Sequence, residues 1–104
     1  MIGVRFCLPQ RRASETFELE CAGLHYSVTF SRGDSGRVLE VFLQNSKPGS
    51  QSDINARDAA VAASLAFQFG CPLETLRHAL LRDPRGNASS PLGCALDAIA
   101  KAKS

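Results

Sequence analysis

Residues 15–44 read ETFELECAGLHYSVTFSRGDSGRVLEVFLQ, and this stretch decides the fold. Apolar and polar residues alternate in three segments, and a period of two is typical of strands with one buried face. The three segments are 15–21, 24–31 and 38–44. The Ala22-Gly23 pair and the two-glycine loop 32–37 favour hairpin turns between them. The stretch therefore predicts a three-stranded antiparallel β-meander.

The second segment is the clearest strand, because four apolar residues fall on one face and four polar residues on the other. The apolar face consists of Leu24, Tyr26, Val28 and Phe30. In the third segment Val38 and Phe42 make the opposite face half apolar, which indicates partial covering by another element or a partner. Apolar residues also alternate in the arm 1–13, which allows a short fourth strand at the sheet edge.

Helical periodicity replaces strand periodicity after the polar loop 45–52. We expect a first helix that is capped by Asp53 or Asn55 and runs to Phe69. It is apolar almost all round, which predicts burial of most of its surface. A second helix should start at Pro72 and end near Arg82.

A third helix should begin after Ser90, with Pro91 at its first position. The predicted apolar stripe of the second helix is Leu73, Leu76, Ala79 and Leu80, and that of the third is Leu92, Ala95, Leu96 and Ile99. Strands followed by helices predict an α+β fold. We expect one domain over residues 14–104, in which the three-stranded sheet packs on the three helices. An exposed sheet edge and an apolar helix favour a homodimer or a docked protein partner.

The length, composition and charge of the chain limit the classes of protein to which it can belong. The chain has 104 residues, 44% hydrophobic residues and a net charge of +2, which is ordinary for one globular domain. The sequence contains no run of 18 apolar residues, which is the pattern of a membrane-spanning helix. Its N-terminus lacks the basic segment followed by an apolar segment that is typical of an export signal. We therefore expect a cytoplasmic location and no membrane partner.

The sequence contains little evidence for a catalytic site or a metal site. The four cysteines form no close pair of the CxxC kind, so we predict small buried apolar residues, no metal site and no cofactor. Cys21 and His25 should be split across the sheet, one facing inward and the other facing solvent. Glu18 and Glu20 should be solvated, and His78 should lie at the surface. No catalytic residue is therefore predicted.

The loop before the third helix is the best candidate for a binding site. A helix N-terminus presents unpaired backbone N–H groups and a partial positive charge. Arginines in the loop would add charge-assisted contacts to a phosphate or carboxylate, and serines would add hydroxyls. The candidate anion site comprises Arg82, Arg85, Gly86, Asn87, Ser89 and Ser90. The alternative is that Ser90 only caps the helix and Asp83 pairs with a nearby arginine.

A second group of arginines leaves open the interpretation that the protein binds nucleic acid. Nine of the twelve basic residues are arginine, and four of them would form a basic rim at one end of the sheet. The four are Arg11, Arg12, Arg32 and Arg37. No exposed aromatic residues are interleaved with them, which makes the pattern weak for nucleic acid.

The order of motifs as a whole resembles a TSCPD-type domain, over about residues 9–100. The resemblance is carried by Glu40-Val41-Phe42, by 70–76 between the first two helices, and by 90–99 in the last. In that family the domain is best known as a C-terminal module of adenosylcobalamin-dependent ribonucleotide reductases and also occurs free-standing. Where the family has its Thr-Ser-Cys-Pro-Asp motif, this chain has residues 89–93, Ser-Ser-Pro-Leu-Gly, without a cysteine before the proline.

The resemblance implies an accessory or regulatory module, since the reductase's catalytic machinery lies outside this domain. Such a module would bind a protein partner or a phosphorylated ligand near Arg82, Arg85 and Ser90. Two alternatives stay open: a nucleic-acid-binding module that uses the arginines, and a small enzyme with a site that the sequence does not reveal.

Overall fold

The structure, a computed structural model, describes residues 14–102. Strands β1 (Ser14–Cys21), β2 (Leu24–Arg32) and β3 (Val38–Asn45) precede helices α1 (Gln51–Gln68), α2 (Leu73–Ala79) and α3 (Pro91–Ala102). The strands pair antiparallel in the order β1-β2-β3, which confirms the predicted meander and the α+β fold. The arm predicted over 1–13 lies outside the described residues.

The hairpin turns and the buried sheet face follow the sequence pattern. Ala22 and Gly23 both have positive φ, which closes the tight β1–β2 turn. Tyr26, Val28 and Phe30 are buried, as predicted. Leu24 was predicted inward but is 38% exposed, because it begins its strand at the end of the sheet.

A β-bulge changes which residues of β3 are buried. The register shifts at Ser31 and Arg32, where β3 enters the sheet. As a result Val38 and Leu39, although adjacent, are both buried. The prediction that Val38 shares the outer face with Phe42 is therefore wrong, while Phe42 is 50% exposed there.

Helix α1 begins earlier than predicted and is capped by another residue. Ser50 is the N-cap, and its hydroxyl accepts a hydrogen bond from the Asp53 N–H. The Asp53 carboxylate instead accepts from the backbone N–H groups of Asn45 and Gly49, at 2.9 and 3.0 Å. These bonds, with Arg57 nearby, lower the pKa of Asp53. Asp53 thus joins the end of β3 to the start of α1.

Helix α1 buries one face, rather than most of its surface as predicted. Its core contacts come from Ala56, Ala60, Ala63 and Phe67, which pack with the buried face of the sheet. Four apolar residues on the other side stay 40–54% exposed: Ile54, Val61, Leu65 and the C-cap Phe69. The reason is positional: α1 lies along the edge strand β3, so only one side of the helix meets the sheet.

Polar side chains of α1 bond the outer edge of β3. The Ser64 hydroxyl accepts from the Val41 N–H and donates to the Val41 carbonyl, both at 3.0 Å. The Gln68 side-chain amide donates to the Leu39 carbonyl at 3.1 Å. At this part of β3 the sheet edge is therefore not free to pair with a second chain, because its backbone groups already have partners.

The last two helices close the core. The predicted stripe of α3 is confirmed, since Leu92, Ala95, Leu96 and Ile99 are all buried. Helix α2 ends at Ala79, three residues before the predicted end, and Ala79 itself is exposed. Among the described residues, no helix combines the length and apolarity that crossing a bilayer requires.

Candidate functional site

The segment before α3, which we call the Arg82 loop (residues 82–90), is a closed turn held by its own backbone. Arg82 and Ala88 form an isolated antiparallel bridge. The Asp83 carboxylate accepts hydrogen bonds from the N–H groups of Arg85 and Asn87, both at 2.9 Å. Gly86, at φ +87, takes the left-handed conformation that closes the turn. Asp83 therefore shapes the loop through backbone donors.

The Arg82 side chain points back to the protein. Its Nη1 and Nη2 donate to the two carboxylate oxygens of Asp97 on α3, at 2.9 and 2.7 Å. The same guanidinium donates to the carbonyls of Gly86 and Arg77. Arg77 adds its Nε to Asp97 at 2.9 Å and also contacts Glu74. Arg82 thus forms a bidentate ion pair with Asp97, and its further hydrogen bonds connect α2 and the loop to α3.

Within this cluster the basic and acidic side chains pair with one another. Hydrogen bonds and charge from Arg82, and then from Arg77, lower the pKa of Asp97 to about 2. Hydrogen bonding to Asp97 raises the pKa of both arginines. Because the Asp97 and Arg82 side chains are only 24% and 22% exposed, the pair is partly shielded from solvent. The Arg82 guanidinium is therefore already paired with a carboxylate of the protein, and its role as a ligand contact stays a prediction.

Ser90 carries out the capping role. Its hydroxyl accepts from the Gly93 N–H at 3.1 Å, and its carbonyl accepts from Cys94 N–H at 2.9 Å. Gly93 is buried against the loop, and a Cβ placed there would meet Ala88 Cβ at 2.9 Å. The loop and the first turn of α3 therefore pack closely against each other.

The remaining members of the predicted site stay at the surface. Arg85, Asn87 and Ser89 are exposed, and the Arg85 side chain has no hydrogen-bond or ion-pair partner among the described residues. The structure thus divides the predicted set in two. Arg82, Gly86 and Ser90 build the loop, and Arg85, Asn87 and Ser89 are available to a ligand.

An apolar groove of about 420 Å³ adjoins this loop and was not predicted from the sequence. Its walls come from the β1–β2 turn, the first half of α1, the residue after α2 and the start of α3. Its lining includes Leu24, Tyr26, Ala59, Leu80, Ser89 and Pro91. Small side chains on α1 leave the space open, and Ser89 places a hydroxyl at its border.

Sequence reasoning missed both the groove and Asp97. The groove draws on four segments that are distant in the chain, so no local pattern marks it. Asp97 had a signal: it is the one acidic residue of a mainly apolar helix that follows an arginine-rich loop. A lone acid in such a helix indicates an ion pair.

Four other side chains considered in the sequence lie on the predicted side of the sheet or at the surface. Cys21 is buried and His25 exposed, so the pair is split across the sheet. Glu18 accepts from the Ser27 hydroxyl on the outer face, and His78 is exposed beside Glu74. Residues 14–102 contain no group of three or more histidine, cysteine or acidic side chains that would hold a metal ion.

The arginines near the sheet are also largely engaged. Arg32 donates to the Gly36 carbonyl and lies over the Phe30 ring, with 5.2 Å from its Cζ to the ring centroid. Arg37 donates to the Phe67 carbonyl at 3.2 Å. Two members of the predicted rim, Arg11 and Arg12, lie outside the described residues. The two that are described bond the protein's own carbonyls.

Comparisons with protein-family models, with curated proteins and with solved structures found no match.

Proposed function

We propose that this chain is a non-catalytic accessory or regulatory module that binds a protein partner through the apolar groove and the adjoining Arg82 loop. The observation that carries the proposal is the groove itself, an apolar recess of about 420 Å³ beside exposed polar groups of the loop. Apolar recesses with a few polar groups at their border are the usual form of a binding site. The resemblance of the chain to the reductase module suggests a ribonucleotide reductase as the partner.

The groove favours a protein partner over a phosphorylated ligand. An anion needs uncompensated positive charge, and the most enclosed cation of the loop already forms a bidentate pair with Asp97. What remains is the exposed Arg85, whose contribution in water is small because exposed ion pairs are weak. An apolar side chain of a partner, in contrast, gains free energy from leaving water in the groove.

The test is binding to the purified catalytic chain of an adenosylcobalamin-dependent ribonucleotide reductase from the same organism, measured by isothermal titration calorimetry. Leu24, 38% exposed at the groove, is changed to aspartate. Leu81, 79% exposed and outside the groove lining, receives the same change as a matched control. We expect Leu24→Asp to weaken binding at least tenfold and Leu81→Asp to change it less than about twofold, since only the first places a charge in the apolar contact.

Absence of binding by the unchanged chain, or equal losses in the two variants, would contradict the proposal. The ligand alternatives are tested in the same instrument. Titration with inorganic phosphate tests the anion reading. Titration with single-stranded RNA at increasing salt tests the nucleic-acid reading, which requires affinity that falls steeply with salt through counterion release.

A further inference from the structure

Two thiols that are distant in sequence meet between the sheet and the last helix. Cys21 ends β1 and is buried, and Cys94 lies in the first turns of α3 and is partly buried. The Cys94 thiol donates to Cys21 Sγ, and the two sulfur atoms are 3.1 Å apart across 73 positions of sequence. Cys71, the third described cysteine, instead contacts the Pro72 carbonyl.

We propose that Cys21 and Cys94 are a redox modification site, at which peroxide converts the two thiols into an intramolecular disulfide. The sulfur atoms need to approach by only about 1 Å to reach bonding distance. Both thiols sit on regular elements, because Cys21 closes a paired strand and Cys94 belongs to a helix anchored by Ser90. The fold therefore holds the reacting partners together before oxidation, which favours closure over reaction with another molecule.

The groove gives a small oxidant access to the pair. Cys21 contributes to the groove wall, as do Pro91 and Leu92 at the start of the helix that carries Cys94. Hydrogen peroxide is small enough to enter an open recess of this size. The disulfide would tie the β1 side of the groove to its α3 side, whichever partner the groove binds.

The reaction balances with one peroxide for each disulfide. The sulfur of one thiolate attacks a peroxide oxygen, the O–O bond breaks, and hydroxide leaves to become water with the proton that the thiol released. This step gives a sulfenic acid. The sulfur of the second cysteine attacks the sulfenic sulfur, the S–S bond forms, and the S–O bond breaks. The second thiol proton leaves with that oxygen as another water.

The surroundings of Cys94 determine how fast the disulfide forms. Burial, and next the hydrogen bond and charge of Cys21, raise the pKa of the Cys94 thiol to about 12. Asp97 adds to this increase, while Arg82 opposes it. Because Cys94 must lose its proton in either order of attack, we expect disulfide formation to be slow at pH 7 and faster at pH 9.

The experiment treats the full chain with hydrogen peroxide, blocks remaining thiols with an alkylating reagent, and maps tryptic peptides without reduction. Each cysteine falls in a different tryptic peptide, so every pairing is distinguishable: 6–11, 13–32, 58–77 and 86–101. We expect one linked species, joining 13–32 to 86–101, with two hydrogens lost and full reversal by dithiothreitol. The melting temperature should rise on oxidation by on the order of 10 °C, because the cross-link closes a long loop.

Two controls keep the outcome decisive. Cys71→Ala should leave the link unchanged, and Cys94→Ala should abolish both the link and the gain in melting temperature. The mapping on the unchanged chain decides the matter even if Cys94→Ala fails to fold. Links through Cys7 or Cys71, sulfinic acid without a link, or thiols that survive peroxide at pH 9 would each overturn the proposal.

Discussion

Changing Asp97 to asparagine tests the central electrostatic feature of the site. Asp97 is the acceptor for two guanidinium groups, those of Arg77 and Arg82, and both arginines are about four-fifths buried. Asparagine keeps the shape of the side chain but removes the charge. The variant should therefore leave the partly buried Arg82 without a counterion and Arg77 with Glu74 alone.

The size of the loss follows from the pKa of Asp97. The fold lowers this pKa from 3.8 to about 2, which corresponds to roughly 2.4 kcal/mol of stabilisation by the charged form. About a quarter of the side chain is exposed, and solvent screening reduces the effect. We expect Asp97→Asn to lower the free energy of unfolding by about 2 kcal/mol at pH 7.

The same reasoning predicts how the loss depends on pH. Because the folded-state pKa lies below the unfolded-state value, the contribution of Asp97 is complete above about pH 5 and disappears as pH falls through 3.8 towards 2. The difference in unfolding free energy between the unchanged chain and Asp97→Asn should therefore shrink from about 2 kcal/mol at pH 7 to below about 1 kcal/mol at pH 2.5.

Urea titrations followed by circular dichroism at pH 7, 4 and 2.5 measure this difference. Asp58→Asn is the matched control, since Asp58 is exposed on α1 and belongs to no ion pair of the described residues. The control should change stability by less than about 0.5 kcal/mol at each pH. A pH-independent loss in Asp97→Asn, or no loss at pH 7, would refute the argument that Asp97 neutralises Arg82.

Three further substitutions test which residues hold the structure and which are available for binding. Ser64→Ala removes both bonds to the Val41 backbone and should cost about 1–3 kcal/mol in urea titrations, because the edge of β3 is left with unpaired buried groups; a loss below about 0.5 kcal/mol would mean that water replaces the hydroxyl. Arg85→Ala should weaken partner binding in calorimetry by no more than about fivefold, since an exposed ion pair is weak, and should leave the melting temperature within about 2 °C. Arg82→Ala should lower the melting temperature by more than about 4 °C, because it removes the pair with Asp97. Equal melting temperatures for the two arginine variants would contradict the division of the loop into structural and available residues.

The candidate site was only partly predictable, for reasons of sequence distance. The position of Ser90 as a cap is a local matter, because a serine before a proline and an apolar helix has few other roles, and the structure bears it out. The partner of Arg82 lies fifteen positions away on α3, and the loop sequence alone offered Asp83 as an equally good candidate. Asp83 in fact bonds backbone N–H groups, since its short side chain returns to its own turn.

The polar residues of α1 illustrate the same limit. Ser64 is the one polar residue between Ala59 and Phe67, and the sequence alone does not show that it faces the edge of β3. The helix was predicted to be buried over most of its surface, yet Val61 and Leu65 are exposed because α1 meets the sheet at its edge. Helical periodicity reports which residues share a face, and it does not report how much of the helix a neighbour covers.

The sequence by itself determined the order of strands and helices, the hairpin turns and the start of the last helix. These features depend on side-chain alternation, backbone freedom and capping, which act over a few residues. Only the tertiary structure decided that Arg82 faces Asp97, that four segments enclose a groove, and that Cys21 lies beside Cys94. Such contacts join residues far apart in the chain, and the packing of α1 and α3 against the sheet is what brings them together.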